Sequence, residues 1–338
     1  MELGFGLEYA ELVLLDASNE EIRKALDSGD LLSLKGQSED DAVLCTRTQT
    51  FQLFAKETSN ELLLVEGQQI QGAAHQVLEP VLIPPRLDQL KHMLEDNAKL
   101  LQEEGTHKRQ KINRLTFDKL SRESGVQASE AEIQAGLIES FAYEDDAVGW
   151  VCPDRQSMEQ VTTQFLLCLV AHQVEEETTL LTLQEDAVCD WLSEFPPQLV
   201  RAVLFTGGQV QVDRIKRFKA ECLLAQSQVL ALNEFVQLWR DGVAPLQLAG
   251  SNDAEAVTTL CREFALMLGE QVRYFPRTML PRNAKSRLQR LFDLQPFWGE
   301  ADLDFYLQGV EGGASGAIAR FCRMSKQGDC RGYIKKMV

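Results

Sequence analysis

The sequence predicts an α+β protein with a small N-terminal β-barrel module followed by tandem winged-helix domains. Three observations carry this expectation. After Gly29 the hydrophobic period changes from helical to short strand-like runs, which continue to residue 65. From residue 112 onward a plan of helix, turn, capped helix and short hairpin recurs, the plan of a winged helix. The chain has 338 residues, and one core serves about 100–150 residues, so several units are required. The expected division is 1–85 for the barrel, 86–111 for a helix and linker, and 112–178, 179–230 and 231–338 for three winged helices.

Ser18-Asn19-Glu20-Glu21 reads as a capping box with serine at the N-cap, opening a helix with Ile22, Ala25 and Leu26 on one face and Gly29 at its end. Residues 31–34, 42–45, 50–55 and 62–65 then read as short strands, punctuated by Gly36, the polar stretch 38–41, residues 46–49 and Ser59-Asn60. Alternation places Phe51, Leu53 and Ala55 on one face. The run Leu62-Leu63-Leu64-Val65 is apolar on both faces, so a second chain is expected to cover it. Leu44, Phe51, Leu53, Leu62, Leu63, Leu64 and Val65 are therefore the candidate partner-binding residues. Pro80, Pro84 and Pro85 close this module, and residues 86–104 read as a helix with Leu87, Leu90, Leu94, Ala98 and Leu101 in phase. The linker that follows holds a short basic cluster, Lys108-Arg109-Gln110-Lys111, which is a weak signal for nuclear import.

In the first recurrence, Ser129-Glu130-Ala131-Glu132 is a second capping box, with Ile133, Leu137 and Ile138 expected to be buried and a hairpin over residues 141–151. The second has Val188, Trp191 and Leu192 inward, then a helix from Pro196-Pro197 with Leu199, Val200, Val203 and Leu204. Gly207-Gly208 turns the chain before a helix that buries Ile215, Phe218 and Cys222. The third opens with Phe235, Val236 and Trp239. Residues 251–268 read as the most regular helix of the chain, with Val257, Leu260, Cys261, Phe264 and Leu268 on one face and Gly269 closing it.

Composition is that of a globular protein, with 44% hydrophobic and 25% charged residues and a net charge of −17. That charge argues against a protein that coats nucleic acid or an acidic membrane along its whole length. It is unevenly placed. Residues 270–338 hold twelve basic against seven acidic side chains, a net of +5 that leaves −22 for the remainder. The eight cysteines are single, with no C-x-x-C pair and no histidine at zinc spacing, which points to a reducing compartment and no structural metal. The first residues lack the pattern of a secretory signal. The longest apolar run, residues 165–171, falls far short of the ~20 residues a membrane span needs, so no membrane is expected.

The residues offer no specific chemistry. His75, His92, His107 and His172 are scattered, and His172, at the end of an apolar helix, reads as structural. Gly312-Gly313-Ala314-Ser315-Gly316 is followed by Ala317, whereas a phosphate loop needs lysine and a hydroxyl residue after its last glycine. The cluster reads instead as a turn before a helix at 317–324. No enzyme activity, cofactor or metal site is expected. DNA binding needs several cations on one surface, because neutralised phosphates release counterions. Arg282, Lys285, Arg287 and Arg290 are spaced so that two or three could share a helix face. Arg320 and Arg323 lie three apart near Lys326, with Arg331, Lys335 and Lys336 beyond. These ten are the candidate DNA-binding residues, single- or double-stranded DNA being left open. A solvated basic face accounts for the charge equally well.

Several segments together resemble one family: residues 42–45 with 50–53 and 57–65, Gln89 to Asn97, Ala128 to Ile133, Asn233-Glu234-Phe235 through Trp239, and Leu291-Phe292-Asp293-Leu294 leading to Trp298-Gly299-Glu300-Ala301-Asp302-Leu303. They resemble the "defective in sister chromatid cohesion" family, subunits of the alternative replication factor C clamp loader. The resemblance implies that the N-terminal barrel joins the large subunit and a small barrel subunit of that loader. It implies three winged-helix domains that dock on the catalytic subunit of DNA polymerase epsilon and contact DNA, placing loading of the sliding clamp PCNA in the nucleus, on chromatin, in support of cohesion. ATP hydrolysis belongs to other subunits. A rival reading is a winged-helix scaffold of a large complex with no DNA contact.

Overall fold

A computed structural model of the protein describes residues 4–37, 41–66, 69–103, 114–123, 125–174, 177–246, 260–281, 283–308, 310, 313–328 and 330–336. The chain divides into two compact units, Met1–Met158 with Leu192–Thr206, and Glu159–Trp191 with Gly207–Val338.

The first unit opens with β1 (Gly4–Leu15) and α1 (Glu20–Ser28), followed by β2 (Ser33–Lys35), β3 (Val43–Cys45), β4 (Thr50–Glu66) and β5 (Gln69–Leu82). These strands form one sheet in the order β1-β5-β4-β3-β2, with β1 parallel to β5 and the other pairs antiparallel. The expected barrel is thus half of one, a sheet that ends on β1 and β2. The strands are also longer than expected. Residues 50–66 form a single strand of 17 residues, and Ser59-Asn60 falls inside a register shift between Glu57 and Leu62 instead of ending it. Pro80 is tolerated because β1 stops at Leu15 opposite Leu78. Beyond that point β5 is bonded to β4 alone, and a proline without an N–H is allowed on a free edge.

Helix α1 is capped by Asn19, whose side chain accepts from the amides of Glu21 and Ile22, and not by Ser18. The amide of Ser18 donates to Asp16, and the hydrogen bonds from Ser18 hold the carboxyl of Asp16 below its usual range. Gly29 ends the helix in the left-handed region, as expected. Ile22 and Ala25 face the sheet, but Leu26 points outward. Ile22, Leu44 and Phe51 form the small core under the sheet, with Leu15, Leu32 and Leu53 around it.

Next come α2 (Asp88–Glu103), a helical turn at Lys119–Glu123, α3 (Glu130–Glu139) and the hairpin of β6 (Tyr143–Asp145) and β7 (Gly149–Val151). Leu90, Leu94, Leu120, Ile133 and Leu137 are their core, while Ile138 is exposed against expectation. The capping box at Ser129 and Glu132 is present as read. Asn97 donates to the carbonyls of Val148 (2.9 Å) and Trp150 (2.8 Å), fixing the hairpin to α2. A Cβ at Gly149 would lie 2.3 Å from the Leu115 carbonyl oxygen, so only glycine lets the strand approach there. A polar seam ties this element to the sheet. The Thr50 hydroxyl donates to Glu132 and accepts from the Ser129 amide, and Gln127 donates to the Asp41 carbonyl at 2.7 Å. Lys35 donates to the Ala128 carbonyl at 2.6 Å, and burial lowers the pKa of its amine.

Helix α4 (Arg155–Ala171) runs on into the second unit, followed by α5 (Glu177–Leu181) and α6 (Glu185–Trp191). In that unit His172 stacks on Trp191, with centroids 4.1 Å apart. Helix α7 (Pro197–Leu204) belongs to the first unit and buries Leu199, Val200, Val203 and Leu204, as expected. Short strands β8 (Phe205–Thr206) and β9 (Gln209–Val210) follow it in sequence.

The second unit then contains one order of elements twice. The first time it runs α8 (Val212–Ser227), β10 (Val229–Ala231), α9 (Leu232–Gly242), helical residues 260–261, β11 (Ala265–Leu268) and β12 (Gln271–Tyr274), with sheet order β10-β12-β11. The second time it runs α10 (Ala284–Leu294), β13 (Phe297–Gly299), α11 (Glu300–Leu307), α12 (Ala314–Phe321), β14 (Cys322–Gln327) and β15 (Cys330–Lys335), with sheet order β13-β15-β14. Ala220 and Leu224 share a core with Phe235, Cys261, Phe264 and Val272, so the expected break at 230/231 falls inside one core. The expected helix over 251–268 is also corrected. Residues 251–259 lie outside the described residues, and 265–268 are a strand paired with β12 across a turn at Gly269. Apolar spacings of three and four are shared by a helix end and an alternating strand, which is why the pattern misled. For the same reason the helix expected at 317–324 ends at Phe321, and residues 322–324 belong to β14.

Candidate functional site

Two surfaces collect the candidate residues. On the first unit, β4 emerges from the small core and continues past its register shift as Leu62, Leu63, Leu64 and Val65, between 41% and 57% exposed. Successive side chains on a strand point to opposite faces, so Leu62 and Leu63 leave both faces of this end apolar. Covering such a patch is favourable by roughly 25 cal/mol per Å². Leu44 and Phe51, 4% and 0% exposed, are core residues instead, and Leu53 packs beside them. On this fold they support the strand and are not offered to another chain. The sequence reading missed Val13, Leu14, Phe54, Val81 and Leu82, exposed apolar side chains on the same sheet. For the residues on β1 the signal was present: Phe5, Leu7 and Tyr9 alternate with Gly6, Glu8 and Ala10. β5 gave little, being rich in glutamine and alanine.

On the second unit, the ten basic candidates do not form one face. Arg282 lies outside the described residues. Arg287 is 5% exposed, its guanidinium donating to the carbonyls of Pro281, Tyr306 (3.1 Å), Gln308 (2.9 Å) and Leu280 (3.4 Å). It holds the fold together and cannot reach DNA. Lys285 and Arg290 are exposed on α10, but five residues along a helix turn them about 140° apart. Lys335 donates to Gln289, and Lys336 to the Ala319 carbonyl. What remains together is the end of α12 and the hairpin after it. Arg320 lies over the Phe321 ring, and Arg323, Lys326 and Arg331 are exposed on β14 and β15. Lys326 stands directly opposite Arg331. Two like charges in that position repel.

The hairpin is well anchored. Trp298 is fully buried and donates from Nε1 to the Leu291 carbonyl at 3.0 Å. Gly332 lets β15 close on β13, since a Cβ there would meet the Trp298 carbonyl oxygen at 2.1 Å. Burial pushes the Tyr306 hydroxyl up to about 12 and the Cys322 thiol up to about 11.

Among the described residues no group of three or more His, Cys, Asp and Glu side chains could hold a metal ion. No described helix is long and apolar enough to cross a membrane.

The fold and these two surfaces define the class: an α+β protein with an apolar sheet end open at its surface and a basic hairpin on a packed stem. Within that class the chain belongs to the family of sister chromatid cohesion protein Dcc1, whose model matches residues 12–307. Relatives include sister chromatid cohesion protein DCC1 of Mus musculus, 23% identical over 91% of this chain and 83% of its own length. The human protein of that name is 23% identical over 85% of this chain and 78% of its own length. A probable sister chromatid cohesion protein DCC1 of Dictyostelium discoideum is 33% identical over 36% of this chain and 32% of its own length.

Proposed function

We propose that this chain is a non-catalytic adaptor in sister chromatid cohesion, a subunit of the alternative replication factor C clamp loader that acts in the nucleus on chromatin. Its N-terminal sheet joins the large subunit and the small barrel subunit of the loader. Its helical elements are tandem winged helices that meet the catalytic subunit of DNA polymerase epsilon and DNA, for loading of PCNA. The observation that carries this reading is the open apolar end of β4, Leu62 to Val65, in a member of a cohesion family. The order helix, strand, helix, helix, strand, strand, with the last strand central in its sheet, supports the winged-helix assignment of 212–274 and 284–335. In that assignment α12 and the β14–β15 hairpin are the recognition helix and the wing.

The test is affinity purification of the full chain from nuclear extract at moderate salt, with mass spectrometry of the chains recovered. Recovery of the large loader subunit with the small replication factor C subunits supports the adaptor. An unrelated assembly without loader subunits overturns it. A second reading, a winged-helix scaffold with no DNA contact, is favoured by the burial of Arg287 and by the net charge of −17. Salt-dependent DNA affinity separates the two, since a pure scaffold shows none.

A further inference from the structure

We propose that the described residues of the two repeats form one rigid arm, in which the repeats are locked together by the Phe305 ring held under Arg262 and Arg277.

Three observations converge on this. The first is the strand β11, which is apolar on both sides. Ala265 and Met267 pack into the cluster of Phe235 and Val272, while Leu266 and Leu268 pack into the cluster of Leu288, Leu291 and Trp298. Alternation along the strand sends each pair to its own face, so one strand is shared by both cores. The second is the connection between the repeats. Linkers that let domains move are exposed and polar, yet Phe275 and Leu280 are buried in the second core. Phe275 meets Tyr306 edge-on at 5.6 Å, and its amide donates to the Phe264 carbonyl at 2.7 Å. The Arg277 amide likewise donates to the Glu263 carbonyl at 3.2 Å.

The third is the clasp itself. Arg262, from the first repeat, and Arg277, from the connection, place their guanidinium carbons 4.8 and 4.9 Å from the centroid of Phe305 in the second repeat. The negative face of an aromatic ring attracts cations at this range. Arg262 also donates to the Ala301 carbonyl (3.2 Å) and the Asp302 carboxylate (3.3 Å), and Arg277 donates to Gln308. Both ends of α11 are therefore gripped by side chains outside the second repeat. The direction of the β14–β15 hairpin is thereby fixed with respect to α8 and α9. A ligand on that hairpin acts on the whole arm and not on a freely turning bead.

Hydrogen exchange of the full chain tests this. In a single arm, the slowest amides of β12 and β15 open together, with the same denaturant dependence. Phe305→Leu keeps an apolar side chain and removes the ring, and Arg262→Gln with Arg277→Gln removes both cations while leaving the ring. Each is expected to speed exchange in β15 by about tenfold and to separate its opening from that of β12. The arginine pair is the deciding variant, because neither side chain belongs to a core cluster and its loss does not unfold the repeat. Independent opening of the two sheets in the unaltered chain, or unchanged β15 exchange in the arginine pair, overturns the proposal.

Discussion

Arg287 on α10 donates from Nη1 to the carbonyl of Tyr306 on α11, 3.1 Å away, so a basic residue is buried inside the second repeat instead of standing on its surface. The same side chain serves the carbonyls of Pro281, Leu280 and Gln308. Arg287→Met leaves these buried acceptors without their donor, which costs about 3 kcal/mol. Loss of stability of the second unit, followed by near-ultraviolet circular dichroism in urea, is the expected result. Wild-type stability with weakened DNA binding would return Arg287 to the surface.

How much of this was legible in the sequence depends on which physical signal each element used. Helix ends written in side chains were readable: the Ser129 box, the Gly29 stop and the Pro197 start all stand as expected. The four exposed residues Leu62 to Val65 were also readable, because four apolar side chains in succession cannot all face one core. Arg287 was not, since spacing along a helix gives the angle between residues but not which angle points inward. Leu44 and Leu63 look alike in sequence. They differ because α1 covers one end of the sheet and not the other, a fact of tertiary packing. The helix expected over 251–268 failed at 265–268, where pairing with β12 overrides local periodicity.

That difference between Leu44 and Leu63 makes a paired test. Leu63→Asp replaces a half-exposed side chain and is expected to change stability by less than ~1 kcal/mol while abolishing co-purification with the large subunit and the small barrel subunit proposed as its partners. Leu44→Ala and Phe51→Ala remove core volume and cost about 2–5 kcal/mol, losing the sheet itself. Urea midpoints together with co-purification distinguish them. A Leu63→Asp variant that still holds both partners would place their binding elsewhere on the sheet.

For the basic hairpin, replacing Arg323, Lys326 and Arg331 by glutamate is expected to leave the fold intact, since all three are exposed. Every phosphate that is no longer neutralised lowers the slope of log affinity against log salt by about 0.9 for duplex DNA, so the triple variant should flatten it by nearly 3. Lys285→Glu with Arg290→Glu, on divergent faces of α10, should change it by no more than about 1. Fluorescence anisotropy across a salt series reads both. Equal slopes in all three proteins would move the DNA site off this repeat.

Alkaline pH should strike the second unit through its buried acids. Burial pushes the Cys261 thiol from 9.0 up to about 12 and the Tyr306 hydroxyl from 10.0 up to about 12, and the Cys322 thiol from 9.0 up to about 11. Each group holds its proton more tightly folded than unfolded, so above pH 9 the native state binds more protons than the unfolded chain. Stability then falls as pH rises. The contribution is complete below about pH 9, the unfolded value of the thiols, and is lost progressively toward pH 11–12. Urea midpoints followed from pH 8 to 11 should therefore decline, and Cys261→Ser with Cys322→Ser should make the decline shallower. Native Cys261 should also resist alkylation at pH 8, while Cys330, exposed on β15, is open to the reagent. A midpoint that stays flat to pH 11 would mean these groups ionise without unfolding the core around them.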